Sequence, residues 1–133
     1  MAIRIVRLGT ARAKGEGVRL GTVRRPPRGV RKSDYAKRDF FDAWLPELAP
    51  SADLIKGLLA QGDVTPAKWR RFAAAYKREM KEPERAHLLA ALARLSQGAD
   101  FSVGCYCEVY ERCHRSILSE ILREHGASIA SDD

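Results

Sequence analysis

The chain has 133 residues, of which 45% are hydrophobic, and this is enough for one globular domain with a buried core. It holds no run of the roughly 18 uninterrupted apolar residues that a membrane-spanning helix needs. Arg4 and Arg7 interrupt the short apolar stretch at the N-terminus, so we expect no secretory signal. These features predict a cytoplasmic protein without a membrane partner.

The net charge of +7 is concentrated in the first 38 residues. This quarter holds 12 Lys or Arg residues against only Glu16 and Asp34, whereas the remainder holds 12 basic and 15 acidic residues. A basic segment attracts the phosphates of nucleic acids, nucleotides or other polyanions. A charged surface that binds nothing explains the same composition. Tyr35 is the only aromatic residue of the segment, which disfavours binding of single-stranded nucleic acid.

The first part of the chain predicts two strands and a stiff basic loop. Residues 3–8 largely alternate between apolar and basic side chains, and residues 18–23 follow a Gly-Glu-Gly turn. Pro26 and Pro27 then end the second strand. Four arginines surround these prolines: Arg24, Arg25, Arg28 and Arg31. The loop is therefore suited to holding an anion, or it is merely a charged connection.

The middle of the chain predicts helices. Residues 40–50 are aromatic and apolar but punctuated by prolines, which predicts a short helix or turn on the core, with a structural role for Trp44. Ser51 predicts the N-cap of a helix that runs to about Gln61. Thr65, followed by proline, predicts the next N-cap. The aromatic face of this second helix is expected in the core: Trp69, Phe72 and Tyr76.

The sequence predicts a third helix that begins at Pro83 and ends near Gly98. Four of its leucines are expected to face inward: Leu88, Leu89, Leu92 and Leu95. Residues 101–104 predict a buried strand, and the apolar residues of the segment 117–122 fall on one face of a last helix. His87 and His125 are expected to be ordinary helix residues.

This order of elements predicts a single α/β domain over residues 1–126, with a short flexible tail at 127–133. The sheet is expected to be small, at least partly parallel and flanked by helices, with the last strand beside the first.

Residues 105–115 hold all three cysteines together with a histidine and an arginine, and they connect the last strand to the last helix. Ligands of parallel sheets bind at the carboxyl ends of the strands, where this segment lies. Cys105 and Cys107 are expected to project to one side and Tyr106 to the other. Three cysteines in one short segment make a poor disulfide framework, and the cytosol would keep them as thiols.

The cysteine spacing excludes several known chemistries. The C-x-x-C-H motif of haem attachment, the C-x-x-C motif of thioredoxins and the C-x5-R motif of phosphatase loops are all absent. Zinc sites usually pair their ligands, as in C-x2-C, and two neighbouring ligands do not readily share one tetrahedron. We therefore expect no cofactor, with zinc on Cys105, Cys107 and Cys113 as the alternative.

Cys113, His114 and Arg115 fall at the predicted N-terminus of the last helix. Free backbone N–H groups and the helix dipole stabilise an anion there, and they lower the pKa of a thiol at Cys113. Cys107 is then a second reactive thiol or a packed residue, and Glu108 is placed to orient His114. The alternative is that the cysteines are small buried hydrophobic residues and that the histidine and arginine pair structurally.

Four motifs carry a resemblance to a known family. They are Arg24-x-x-Pro27-Arg28-Gly29, Trp44-Leu-Pro-Glu47-Leu-Ala-Pro-Ser51, Trp69-x-x-Phe72-x-x-x-Tyr76-x-x-Glu79, and Cys107-Glu108 with Cys113-His114-Arg115. Together they resemble the YeaO-like proteins of the family called domain of unknown function four-eight-eight, over nearly the whole chain. The resemblance implies a small α/β fold and no established activity.

The leading functional prediction is an anion pocket between the proline-arginine loop and the start of the last helix. Its anion-binding residues are Arg24, Arg28 and Arg115. The ligand is expected to be a nucleotide, another phosphate-bearing small molecule or a nucleic-acid phosphate. If the protein is an enzyme, Cys113 is the candidate nucleophile, His114 the general acid or base, and Glu108 its orienting group, with Cys107 as a second thiol.

Two alternatives remain at this point. One is a non-enzymatic, nucleic-acid-associated module that uses the basic N-terminal quarter. The other is a redox or metal-handling role for the thiols. The sequence leaves the oligomeric state open.

Overall fold

The computed structural model describes residues 1–60, 62–107 and 109–130. Within them the chain forms four strands, β1 Ile3–Arg7, β2 Val18–Gly21, β3 Ala43–Trp44 and β4 Phe101–Cys105. It forms four α-helices, α1 Ala52–Leu59, α2 Pro66–Glu79, α3 Pro83–Leu95 and α4 His114–Glu124. Short 3-10 helices lie at Lys32–Asp34, Pro46–Leu48 and Tyr110–Arg112.

The four strands form one sheet in the order β1-β4-β2-β3, and every pairing in it is parallel. Phe101 of β4 pairs with Ile3 of β1 on one side and with Val18 of β2 on the other. All five residues of β4 are buried, as a central parallel strand requires. The predicted α/β class, the parallel sheet and the position of the last strand beside the first are confirmed.

The third strand is absent from the sequence prediction. Ala43–Trp44 pairs in parallel with Leu20 and Gly21, inside the segment for which only a short helix or turn is predicted. The helical turn is also present, as the 3-10 helix at Pro46–Leu48. Two residues are too few to show the alternating pattern of a strand. Only the pairing with β2 defines this strand. The indole of Trp44 donates to the carbonyl of Val23 at 2.7 Å, which ties β3 to the end of β2.

Helices α2, α3 and α4 supply most of an apolar core that packs against β1 and β4. Its largest fully buried members include Tyr76, Leu89, Leu118 and Leu122, together with Ile3 of β1. A second, smaller apolar cluster lies at the carboxyl end of the sheet: Leu8, Val23, Phe41, Cys105 and Cys113. The candidate site therefore lies where the sheet, the helix layer and this second cluster meet.

A buried polar network occupies the sheet around β2 and β4. Arg19 of β2 has no exposed surface and forms an ion pair with Glu16, with 2.8 Å between its Nε and a carboxylate oxygen. Ser102, the residue on β4 that pairs with Arg19, donates to the same carboxylate at 2.8 Å. Arg12 pairs with Asp42. Two of the N-terminal basic residues, Arg12 and Arg19, are therefore paired with acidic residues of the fold.

Gly104 has a steric role in β4. A Cβ atom there would lie 2.7 Å from both the side chain of Leu8 and the carbonyl oxygen of Val6, which is closer than real side chains approach. Glycine therefore lets β1 and the following residue pass close to the end of the central strand.

The starts of α1 and α2 agree with the predicted caps, whereas α3 ends at Leu95, before the predicted end near Gly98. Ser51 Oγ accepts from Leu54 N, and Thr65 Oγ1 accepts from Lys68 N. The inward orientation of Leu95 is wrong, because its side chain is 57% exposed where α3 ends. None of the helices in the described segments is long and apolar enough to cross a bilayer.

The C-terminal segment returns to the sheet after α4. Ile3 N donates to Ser128 O at 2.8 Å and Ala130 N donates to Ile3 O at 2.8 Å. The predicted flexible tail thus begins with residues that are bonded to β1. Residues 131–133 of that prediction lie outside the described residues.

Candidate functional site

The site lies at the carboxyl ends of β2 and β4, which run side by side with Gly21 paired to Gly104. The chain leaves β2 through Thr22 and leaves β4 through Cys105, and both residues are buried. The segment after β4 then turns through a 3-10 helix into α4, which begins at His114. The carboxyl edge is where parallel sheets bind ligands, and it is where the cysteine segment was expected.

The three cysteines are free thiols. Cys105 and Cys107 place their Sγ atoms 3.6 Å apart, so they lie on the same side as predicted. Cys105 and Cys113 are buried, whereas Cys107 is exposed. The ligand atoms of Cys105, Cys113 and His114 all lie within 4.8 Å of one another. The fold therefore converts a sequence cluster into a compact group of sulfur and nitrogen atoms.

The imidazole of His114 has a fixed role for each nitrogen. Its Nε2 lies 2.7 Å from the carbonyl oxygen of Thr22, and because a carbonyl only accepts, Nε2 carries the hydrogen. In the neutral ring Nδ1 is then the unprotonated nitrogen. Nδ1 lies 3.9 Å from Cys113 Sγ. The ring also contacts the edge of buried Tyr76, with 5.6 Å between centroids. His114 is thus held with its basic nitrogen towards the sulfur.

Arg115 is buried and points back at the cysteines. Its Nε donates to Cys113 Sγ at 3.4 Å, and its terminal nitrogen donates to the carbonyl of Cys107 at 2.7 Å. The guanidinium also lies 5.7 Å from the ring centroid of Tyr110. Arg115 therefore places its positive charge next to the Cys113 sulfur and holds the loop that carries Cys107.

The three thiols differ in acidity because they donate to one another. Hydrogen bonds from the thiols of Cys105 and Cys107, together with the neighbouring His114, lower the pKa of Cys113 far below the ordinary value of 9.0, although burial opposes this. Donation to Cys107 and Cys113, together with burial, raises the pKa of Cys105. The pKa of Cys107 is also raised: its bond with Cys105 lowers it, but its bond with Cys113 and burial outweigh that effect. Of the three cysteines, Cys113 is therefore the one whose thiolate form the neighbouring groups favour.

A cavity of about 590 Å³ opens onto these groups. All three cysteines and His114 lie in its wall, so we call it the cysteine cavity. Its described lining contains no acidic residue and includes four basic ones: Arg24, Arg25, Lys56 and Arg112. A volume of this size suits a small organic ligand.

The structure brings together only part of the predicted anion site. Arg24 lines the cysteine cavity, but its guanidinium also donates to the carbonyls of Ala49 and Pro50, each at 3.1 Å. Arg28 lies instead in a neighbouring hollow with Phe40 and Tyr106. Arg115 contacts the sulfur from inside the protein. Glu108, the predicted orienting group, lies outside the described residues.

Three residues of the site lack a strong sequence signal. Arg25 and Arg112 are exposed and line the cysteine cavity, yet the sequence places the anion contacts on other arginines. The position of Arg112 directly before the cysteine-histidine pair is a signal that could have indicated it. The carbonyl of Thr22 has no such signal, because any residue offers a carbonyl and only the fold brings it to His114.

The same atoms can hold a metal ion. With Zn–S bonds of about 2.3 Å, a tetrahedral site places its ligand atoms roughly 3.6–3.8 Å apart. The observed distances are 3.6 Å between the sulfurs of Cys105 and Cys107 and 3.9 Å between Cys113 Sγ and His114 Nδ1. The bond from His114 Nε2 to a backbone carbonyl is the usual support of a metal-bound histidine. Among the described residues, the group whose ligand atoms are close enough to hold an ion together is Cys105, Cys113 and His114, whereas the sequence suggested Cys105, Cys107 and Cys113.

Comparison with known proteins identifies the family. A family model described as the active DUF488-N3 subclade matches residues 3–126. Comparisons with curated proteins and with solved structures give no match. The matched range includes all four motifs that carry the resemblance seen in the sequence, from the proline-arginine loop to the cysteine segment. The chain therefore belongs to the DUF488 family, domain of unknown function four-eight-eight.

Proposed function

We propose that the protein is a thiol-dependent enzyme that acts on a phosphate-bearing small molecule bound in the cysteine cavity. One observation carries this proposal: the Cys113 sulfur, which accepts from Arg115 Nε, lies in the wall of a cavity whose described lining includes four basic residues and no acidic one. Cationic neighbours at a helix N-terminus make a thiol nucleophilic, and the same charges attract a phosphate. The description of the matched subclade as active agrees with a catalytic role.

The proposed reaction assigns one step to each group. The Cys113 thiolate forms a bond to the electrophilic atom of the substrate while the bond from that atom to the leaving group breaks. When the Cys113 thiol loses its proton, Nδ1 of His114 accepts it, and the leaving group then takes this proton from Nδ1. Water then attacks the covalent intermediate, returns a proton to Nδ1 and displaces the sulfur as a thiolate.

Arg25 and Arg112 are the proposed phosphate contacts. Both side chains are exposed at the cavity, and no hydrogen bond or ion pair from the described chain engages either guanidinium. Arg24 is partly occupied by the two carbonyls that hold it, and it adds positive charge nearby. Because the chemistry requires reduced thiols, the proposal also places the protein in the cytoplasm.

The test compares two alkylating reagents of similar size and different charge. If the cavity attracts anions, the rate of Cys113 modification by negatively charged iodoacetate, relative to neutral iodoacetamide, should exceed the same ratio for a free thiol such as glutathione. The double variant R25A/R112A should lower this ratio for Cys113 several-fold, measured by mass spectrometry of the labelled peptides. R28A/R31A is the matched control, because it removes the same charge from exposed positions outside the cavity lining. An equal fall in both double variants, or no fall in either, would refute the anion site.

A second candidate function is zinc binding, favoured by the closeness of the sulfur and imidazole atoms of Cys105, Cys113 and His114. Metal and nucleophile exclude each other, since a zinc-bound Cys113 is not a free thiolate. The metal content of protein purified under reducing conditions without chelator separates the two. About one zinc per chain would make the cluster a ligand site and remove Cys113 as the nucleophile.

A further inference from the structure

The wall of the cysteine cavity has a second part of different chemistry. Beyond the basic residues and the thiols it is lined by apolar side chains from α1, from α2 and from the connection between them. These are Ile55, Leu58, Leu59, Val64, Trp69 and Phe72. A site for phosphate alone needs no such surface, because a phosphate makes only polar contacts.

Three aromatic rings of α2 form a continuous stack that starts at this wall. Trp69 stacks on Phe72 with 5.3 Å between centroids and 26° between planes, and Phe72 stacks on Tyr76 at 6.3 Å and 11°. Tyr76 then contacts His114 edge to face at 5.6 Å. Only Trp69 of the three is not fully buried. The stack therefore fixes the orientation of the Trp69 ring and links it to the histidine of the thiol group.

Helix α1 leaves its apolar side chains partly open to solvent. None of its eight residues is buried, and Leu59, which lines the cavity, is 66% exposed. A ligand with an apolar surface would cover these side chains together with the indole of Trp69, and the hydrophobic effect would favour its binding. Flat aromatic rings are the groups that a fixed indole binds best, by stacking.

We infer that the ligand carries a flat aromatic ring as well as its phosphate, as a nucleotide does, and that Trp69 is the residue that selects for the ring. The phosphate part of this inference rests on the proposed function. The ring part rests on the apolar wall alone. Trp69 is thus a specificity residue that touches the ligand away from the reacting atoms.

The experiment measures binding of three probes to the reduced protein by titration calorimetry: adenosine 5′-monophosphate, ribose 5-phosphate and adenosine. The first has both a ring and a phosphate, the second lacks the ring and the third lacks the phosphate. Two variants form a matched pair, because W69F keeps an aromatic ring and W69L keeps apolar volume without one. Each variant is first checked for cooperative unfolding like that of the natural chain.

The inference predicts that adenosine 5′-monophosphate binds roughly 5- to 150-fold tighter than ribose 5-phosphate, the range that base stacking on an aromatic side chain supplies. W69L should lower the affinity for adenosine 5′-monophosphate to that for ribose 5-phosphate, whereas W69F should largely keep the difference. Neither variant should change the affinity for ribose 5-phosphate. Equal affinities of the natural chain for both probes would overturn the inference, as would a W69L effect of the same size on both.

The two proposals fail in different ways. If adenosine binds as tightly as its monophosphate, the ring site stands and the phosphate site of the proposed function falls. If ribose 5-phosphate binds as tightly as the nucleotide, the phosphate site stands and the ring site falls. If none of the three probes binds at about 10 mM, the binding free energy is weaker than roughly 3 kcal/mol. That result would overturn both the phosphate site and the ring site.

Discussion

His114 donates from Nε2 to the backbone carbonyl of Thr22 over 2.7 Å, and this bond joins the first turn of α4 to the end of β2. Both residues are buried, so the carbonyl has no water as a substitute partner. The bond decides which nitrogen faces Cys113, since the tautomer that donates through Nε2 leaves Nδ1 unprotonated. One contact between distant parts of the chain therefore fixes the orientation and the chemistry of the imidazole.

Replacing His114 should separate its structural role from its chemical role. H114A leaves the Thr22 carbonyl unpaired and should lower the free energy of unfolding by about 1–3 kcal/mol, beyond the cost of the lost packing. H114Q offers an amide N–H at a similar distance and should recover part of this stability. Urea denaturation measures both. Equal destabilisation by the two variants would show that the bond adds nothing to folding.

The acidity of Cys113 should appear in its reaction rate with iodoacetamide. Because hydrogen bonds from Cys105 and Cys107 lower its pKa, we expect Cys113 to react as a thiolate at neutral pH, with a rate that stays nearly constant between about pH 6 and pH 8. The pKa of Cys107 is raised, so its rate should fall about tenfold for each unit by which the pH is lowered over the same range. Peptide mapping after short labelling distinguishes the two. Parallel pH profiles would contradict the assignment of the thiolate to Cys113.

Zinc should compete with alkylation if the sulfur and imidazole atoms form one coordination group. Addition of one equivalent of Zn²⁺ to reduced protein should protect both buried cysteines, Cys105 and Cys113, from iodoacetamide. C105S should lose the protection of Cys113, because it removes one ligand and leaves the helix start unchanged. Unaltered labelling of Cys113 at about 100 µM Zn²⁺ would rule out a metal site of useful affinity.

The buried pair of Glu16 and Arg19 should make the protein sensitive to acid. Burial raises the pKa of Glu16, but hydrogen bonds from Arg19 and Ser102 outweigh this and lower it to about 2, against an ordinary 4.5. A carboxylate with a lowered pKa stabilises the fold above pH 4.5, and this stabilisation is lost as the pH falls towards 2. The contribution is about 3 kcal/mol.

Unfolding measured between pH 5 and pH 2 tests this contribution. E16Q should show a smaller loss of stability over that range. It should also be less stable at neutral pH by about 3–5 kcal/mol, because Arg19 is left buried without its charge partner. E120Q is the control, since Glu120 forms an exposed ion pair with Lys77 and should change the acid response little. The same acid response in E16Q as in the natural chain would contradict the prediction.

Local patterns predicted most of the fold. The caps at Ser51 and Thr65 and the apolar face of α4 are properties of a few neighbouring residues, so the sequence contains them completely. Strand β3 was missed because its two residues are a strand only by virtue of their partners on β2. Leu95 was placed inward by continuing a helical period past the point where the core ends.

The candidate site was predicted at the level of its segment but not of its contacts. Cys113 and His114 were placed correctly at the start of the last helix, because that position follows from the strand and helix on either side. The sequence could not predict which arginines line the cysteine cavity. Arg112 lines it, whereas Arg28 lines a different hollow. Which charge faces a cavity depends on how two loops approach each other, and no local pattern records that approach.

The position of β4 between β1 and β2 has a consequence for how the molecule forms. The central strand comes late in the chain, so Ile3 and Val18 can pair with Phe101 only after most of the chain has been synthesised. Pairings between such distant residues are slow, because a long loop must close first. During synthesis the first strands leave the ribosome with open edges, which favour aggregation until the cysteine segment itself has been made. The strand that completes the sheet thus leads directly into the segment that carries the candidate site.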